Sequence, residues 1–125
     1  MSANFCREIL HRYLLQKLGH RREEILLGLF ADDEGGFIAE NVLGIGDGQG
    51  VEVSARGVLQ RTVSFGAGQL LLAHNHPSSS CIPSCRDLRE TRKIKKMAST
   101  LGIRLLDHLV IGGRRIYSIC QGREL

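Results

Sequence analysis

Residues 69–73 (QLLLA) are apolar after their first position, and they run straight into two histidines one residue apart, His74-Asn75-His76-Pro77. An apolar run this short reads as a central strand, buried on both faces. Residues i and i+2 of a strand share a face. His74 and His76 are therefore expected to point the same way, just beyond the last core residue. Pro77 keeps His76 out of helical geometry and stiffens the chain's exit from the strand.

The other segments build around that strand. Residues 4–17 carry Phe5, Ile9, Leu10, Tyr13, Leu14 and, one position on, Leu18 at helical spacing, and Gly19 suits the position after the helix. Residues 24–31 (EILLGLFA) read as a buried strand, 32–36 (DDEGG) as a turn and 37–45 as a returning strand. The glycine-rich residues 44–50 (GIGDGQG) match neither GxxxxGK[ST] nor GxGxxG well and read as a flexible connection. Ser54 is placed to cap a helix carrying Val58, Leu59, Val63 and Phe65, which ends near Gly66 or Gly68. Ser84 opens a long helix to about residue 101, with Leu88, Ile94 and Met97 inward and Gly102 closing it. Residues 103–111 read as a strand, Gly112-Gly113 as a tight turn and 114–119 as the returning strand. The order α-β-β-α-β-α-β-β predicts an α/β fold, a mixed sheet flanked by helices. At 125 residues the expectation is a single domain over 1–125, with 1–19 as an N-terminal helical segment.

Two imidazoles on one strand face are half of a zinc site, because zinc takes histidine nitrogen and prefers four ligands. A catalytic zinc needs about three protein ligands and a water. Asp87, in the first turn of the helix after the loop, is the candidate third ligand, beyond the carboxyl end of a strand where sites in α/β folds gather. Ser84-x-x-Asp87 also resembles a capping box, in which both residues only satisfy helix donors. The small, polar loop of residues 78–83 leaves room for a substrate carbonyl. Four cysteines occur without a CxxC pair. Cys81 and Cys85 flank Pro83 and read as incidental loop residues, although thiolate is a good zinc ligand.

His74-x-His76-Pro77, six residues, then Ser84-x-x-Asp87 resembles the signature HxHP-x6-SxxD of the JAMM (MPN-plus, JAB) metalloprotease family. The words LLLAHNHPS, LGIRLLDHLVIGG and IAENVL are similar to its bacterial RadC-like branch. The resemblance covers roughly residues 20–120. It implies the JAB/MPN fold, similar in architecture to cytidine deaminases. It implies Zn2+ held by His74, His76 and Asp87 with a water, and hydrolysis of a peptide or isopeptide bond by metal-bound hydroxide. Ser84 is then expected to donate to the oxyanion. The family's general base is a glutamate at the start of the first strand. Glu24 is the choice, Glu23 the neighbouring alternative and Glu40 a third candidate. The chain departs from the RadC-like SGDPTPS: it reads SSSCIPS, with Ser79 and Ser80 in place of Gly and Asp.

The implied partner is a peptide or protein-conjugate substrate. Net charge is +4 and the sequence pI about 9.1, which permits weak, salt-sensitive attraction to nucleic acid. Residues 89–96 (RETRKIKK) read mainly as a solvated helix face, and with aromatics at 5% stacking platforms are poorly supplied. A nucleic-acid-associated protein is the alternative function, and a non-catalytic MPN scaffold ranks below it because the ligand set is intact. Nucleotide deamination expects HxE and PCxxC, which are missing. No signal peptide or membrane-length apolar run occurs, so the cytoplasm is expected. His108 follows Asp107 on a strand, where neighbours face opposite sides, and reads as structural. His11 and His20 read as surface residues.

Overall fold

The structure, a computed structural model, describes residues 3–46 and 54–125. The elements are α1 (Ala3–Leu18), β1 (Ile25–Ala31), β2 (Phe37–Ile45), α2 (Ala55–Ser64), β3 (Gln69–Asn75), α3 (Cys85–Thr100), β4 (Arg104–Gly112), β5 (Arg115–Ser118) and β6 (Arg123–Glu124). The strands form one mixed sheet in the order β2-β1-β3-β4-β5-β6. Only β3 and β4 pair in parallel. A parallel pair needs a crossover connection, and α3 supplies it.

Side-chain alternation assigns each helix to a face. Leu70 and Leu72 of β3 pack with Leu26 and Phe30 of β1 against α2 and α3. Leu71 and Ala73 pack with Leu27, Leu109 and Ile111 against Leu14 and Leu18 of α1. Burial of each such large side chain contributes about 1.5–3 kcal/mol, which fixes both layers onto the sheet. The same parity carries through to the strand ends. His74 continues the Leu70–Leu72 row towards α3, and Asn75 continues the Leu71–Ala73 row towards α1.

A bulge alters that parity on β4. Leu70 pairs with Leu105 but Leu71 pairs with Asp107, so Leu106 is inserted and left exposed. Leu105 and His108 consequently face the same α3 layer, although they are three positions apart.

Several local expectations are corrected. Leu88 is exposed, and the inner face of α3 is instead Thr91, Ile94 and Ala98, with Met97 partly buried against the core. Val63 of α2 is exposed as well. The tight turn is Gly113-Arg114, because Gly112 still pairs with Arg115. The returning strand is the shorter Arg115–Ser118, and β6, unforeseen, adds the last edge. Of the glycine-rich stretch, residues 47–50 lie outside the described residues. Among the described residues no helix is long and apolar enough to cross a membrane.

Candidate metal centre

His74 leaves the end of β3 and Asp87 sits in the first turn of α3, so the crossover brings the two together. His74 Nε2, His76 Nε2 and Asp87 Oδ2 form a nearly equilateral triangle. The nitrogens are 3.1 Å apart, and the carboxylate oxygen lies 3.4 Å from His74 and 3.2 Å from His76. Glu24, immediately before β1, places Oε1 3.9 Å from His74 Nε2. Leu26 pairs with His74 across the sheet, so Glu24, two residues earlier on the same face, reaches the same spot. Glu24, His74 and His76 offer ligand atoms that all lie within 4.8 Å of one another, a group that could hold a metal ion.

The histidine tautomer at His76 follows from its partner. His76 Nδ1 lies 3.0 Å from the Ser80 carbonyl oxygen, which can only accept. Nδ1 therefore carries the proton, and the Nε2 lone pair of neutral His76 faces the triangle. Gly112 makes this contact possible. A Cβ there would meet Ser80 C at 2.3 Å and Cys81 N at 2.5 Å, so only glycine lets the loop descend onto β4. The His76 N–H donates to the Ile111 carbonyl at 2.8 Å and holds the loop's start. Ser79, which stands where RadC-like sequences carry glycine, has φ of 70° in the left-handed region that favours glycine.

The His76 pKa is raised by its bond to the Asp87 carboxylate, 3.2 Å away, which outweighs burial. Burial pushes the Asp87 carboxyl up, but the His74 and His76 imidazoles when protonated, together with the Ser84 N–H, outweigh it and hold the group well below the usual carboxylate range. The capping box also exists. Asp87 N–H donates to Ser84 Oγ at 3.0 Å, and Ser84 N–H donates to Asp87 Oδ2 at 2.8 Å. Asp87 thus closes the helix end and reaches the histidines with the same carboxylate oxygen. Ser84 is exposed, and the capping bond uses its oxygen as acceptor, not its proton.

The remaining candidates lie elsewhere. Glu23 is exposed and sits 3.8 Å from Arg21. Glu40 pairs with Lys17 and Tyr13 of α1, and these partners outweigh burial to hold its pKa down. The buried Cys81 thiol donates to Glu124 at 3.1 Å, and Cys85 is exposed. His20 is exposed and His11 half-buried.

Two buried residues make contacts that the sequence did not reveal: Asn75, and His108, which reads from the sequence as structural. Asn75, between the two histidines and pointing the other way, ties down the entrance to β1. His108 is buried with Nε2 2.7 Å from His74 Nδ1, and Nδ1 2.6 Å from Thr91 Oγ1. Burial, with His74 beside it, pushes the His108 pKa down to about 3. For Asn75 the signal was there, an amide in an apolar alternation. For His108 the bulge at Leu106 hid the face.

Residues 6–125 match the RadC-like JAB domain family. The chain belongs to that family. It is 34% identical over 109 residues to a UPF0758 protein of Carboxydothermus hydrogenoformans, covering 87% of this chain and 48% of the relative. A UPF0758 protein of Photobacterium profundum is 39% identical over 109 residues, with 87% and 49% covered. UPF0758 protein YfjY of Escherichia coli is 36% identical over 107 residues, with 86% and 66% covered. The chain spans about half the length of the first two of these RadC-like relatives. The mixed sheet with helices on both faces is consistent with a JAB fold.

Proposed function

We propose that this RadC-like domain is a zinc-dependent metallopeptidase or isopeptidase that hydrolyses an amide bond in a peptide or protein-conjugate substrate. The observation that carries this reading is the triangle of His74 Nε2, His76 Nε2 and Asp87 Oδ2, with edges of 3.1, 3.2 and 3.4 Å. Tetrahedral zinc with ligands at about 2.0–2.2 Å needs donor atoms about 3.3–3.5 Å apart. The triangle fits after shifts of a few tenths of an ångström. Glu24, 3.9 Å from His74, is the outlier of the four and is free for another task.

His74, His76 and Asp87 would hold the zinc, which when bound would supply Lewis acidity to acidify a water and polarise a carbonyl. Glu24 takes a proton from the attacking water and passes it to the nitrogen of the breaking C–N bond, so the acid and amine products balance. Ser84 uses its free hydroxyl proton to donate to the carbonyl oxygen as negative charge builds there.

The test is a Glu24→Gln variant assayed for zinc and for cleavage of peptide and conjugate substrates. Zinc near one equivalent with turnover lowered by about 10²–10⁴ is expected. A variant that keeps full turnover refutes the role of Glu24.

A second reading, weak association with nucleic acid, draws on the exposed Arg89, Arg92, Lys93, Lys95 and Lys96 along α3. It predicts duplex binding that weakens steeply with salt. It ranks below hydrolysis because a solvated cationic helix accounts for the same residues.

A further inference from the structure

Beyond the residues that meet the metal, a buried chain of hydrogen bonds runs through the sheet. It starts at the Asp87 backbone carbonyl and ends at His74. The Thr91 hydroxyl donates to the Asp87 carbonyl at 2.7 Å, one turn back along α3. Its proton is thereby used, so Thr91 Oγ1 accepts from His108 Nδ1–H at 2.6 Å. With its proton on Nδ1, the neutral His108 ring offers a lone pair at Nε2, and His74 Nδ1, 2.7 Å away, is placed to donate to it. His74 Nε2 is then left as a lone pair 3.4 Å from Asp87 Oδ2, two acceptors facing one another where an ion would be held.

We propose that His108 and Thr91 are positioning residues of the metal centre: Thr91 sets the tautomer of His108, and His108 sets that of His74, so that His74 Nε2 is always presented unprotonated to the ion. The proposal rests on the zinc reading of the site. The chain spans three elements, β3 with His74, β4 with His108 and α3 with Asp87 and Thr91. It therefore fixes the two ligands relative to each other as well as the proton. His76 needs no such device, because the Ser80 carbonyl does the same for it from the loop. The bulge at Leu106 is what turns His108 onto this face. Groups that orient metal-bound imidazoles typically contribute about 10–100-fold to metal affinity.

The experiment uses the full chain, stripped of metal, with zinc alone as the probe against a competing chelator. Two-bond 1H–15N correlations read each imidazole's tautomer directly. In the unsubstituted protein His74 is expected as Nδ1–H. In His108→Leu it shifts towards Nε2–H, and zinc affinity falls about 10–100-fold. His108→Gln restores both, because its amide oxygen can accept from His74 and its amide N–H can donate to Thr91. Thr91→Val removes the hydroxyl at nearly constant volume. It lets His108 take the Nε2–H form and moves His74 the same way, and it carries the test should His108→Leu fail to fold. A folded His108→Leu or Thr91→Val with unchanged His74 tautomer and zinc affinity overturns the proposal, as does equal loss in His108→Leu and His108→Gln. If the unsubstituted protein binds no zinc, the hydrolase reading fails, while the tautomer spectra still decide the hydrogen-bonded chain.

Discussion

Asn75 Oδ1 accepts the backbone N–H of Ile25 at 2.8 Å, fifty positions away in sequence. The same amide donates through Nδ2 to the Glu23 carbonyl at 2.9 Å. These two bonds bracket Glu24, whose own carbonyl accepts from the Gly46 N–H at 2.7 Å. The backbone that carries the proposed base is therefore held at three consecutive positions. Asn75 works from the α1 side of the sheet while its neighbours His74 and His76 work from the other, so one strand end orients base and ligands together.

Replacing Asn75 by Ala is expected to leave a buried N–H and C=O unpaired, at about 2–3 kcal/mol of stability. Turnover should fall with it, because Glu24 loses its fixed approach. Zinc affinity should stay within about threefold, because His74 and His76 make no bond to Asn75. Urea unfolding, a zinc titration and a turnover assay on one preparation separate the three effects. A variant with full turnover refutes the positioning of Glu24 by this amide.

Gly112 offers a different handle on His76. The Gly112→Ala methyl would lie inside contact distance of Ser80 C and Cys81 N, so the loop must lift. Overpacking of this kind costs about 1–3 kcal/mol. Lifting Ser80 also removes the acceptor of His76 Nδ1–H, so zinc affinity should fall with the melting temperature. A stable variant with unaltered zinc binding contradicts the link between loop height and histidine tautomer.

The pH dependence divides into windows. His108 has a folded pKa near 3, depressed below its ordinary 6.5, so it binds a proton in the unfolded chain first. Its contribution is present above 6.5 and is lost as pH falls towards 3. The slope approaches about 1.4 kcal/mol per pH unit inside that window. His76 runs the other way: its folded pKa is raised, so the stability from its pair with Asp87 is full below 6.5 and fades as pH rises through the folded value. Asp87 is depressed, and its contribution is lost only on the acid side of 3.8. The metal-free protein should therefore lose stability between pH 6 and 4 chiefly through His108. Denaturant titrations at several pH values should show that slope, and His108→Gln should flatten it. An identical slope in the variant assigns the acid lability elsewhere.

How much of this was legible in the sequence depends on whether period or pairing decides a residue's place. Period placed the hairpin, the caps at Ser54 and Ser84 and the paired histidines, since each is a local property of a few residues. Pairing decided the rest. Leu106 looks like any other strand residue, and only the register against β3 reveals that it is skipped, which turns His108 inward. Gly112 reads as turn chemistry, while its use is the close passage of a loop from another part of the chain. Leu88 matched the helical period, yet it is exposed, and Thr91, Ile94 and Ala98 form the inner face instead. The choice between capping box and ligand at Asp87 could not be read from spacing at all, because the carboxylate oxygen that accepts from the Ser84 N–H is also the one that faces the histidines.

Ser84 joins those two duties, so an alanine there would confuse them. Ser84→Ala removes the cap of α3, at about 0.5–2 kcal/mol, and removes the hydroxyl proton. Glycine at an N-cap costs only a few tenths of a kcal/mol and still lacks the hydroxyl. Ser84→Gly should therefore keep the helix and leave Asp87 in place, with Asp87 Oδ2 still accepting from the backbone N–H of residue 84. If the hydroxyl donates to developing negative charge, turnover drops by about 10²–10³ in this variant at nearly unchanged melting temperature and zinc affinity. If Ser84 only ends a helix, Ser84→Gly turns over like the unsubstituted protein. A melt, a zinc titration and a turnover assay on the one variant decide between them, because capping acts through the stability of α3 and the hydroxyl acts only when substrate is present.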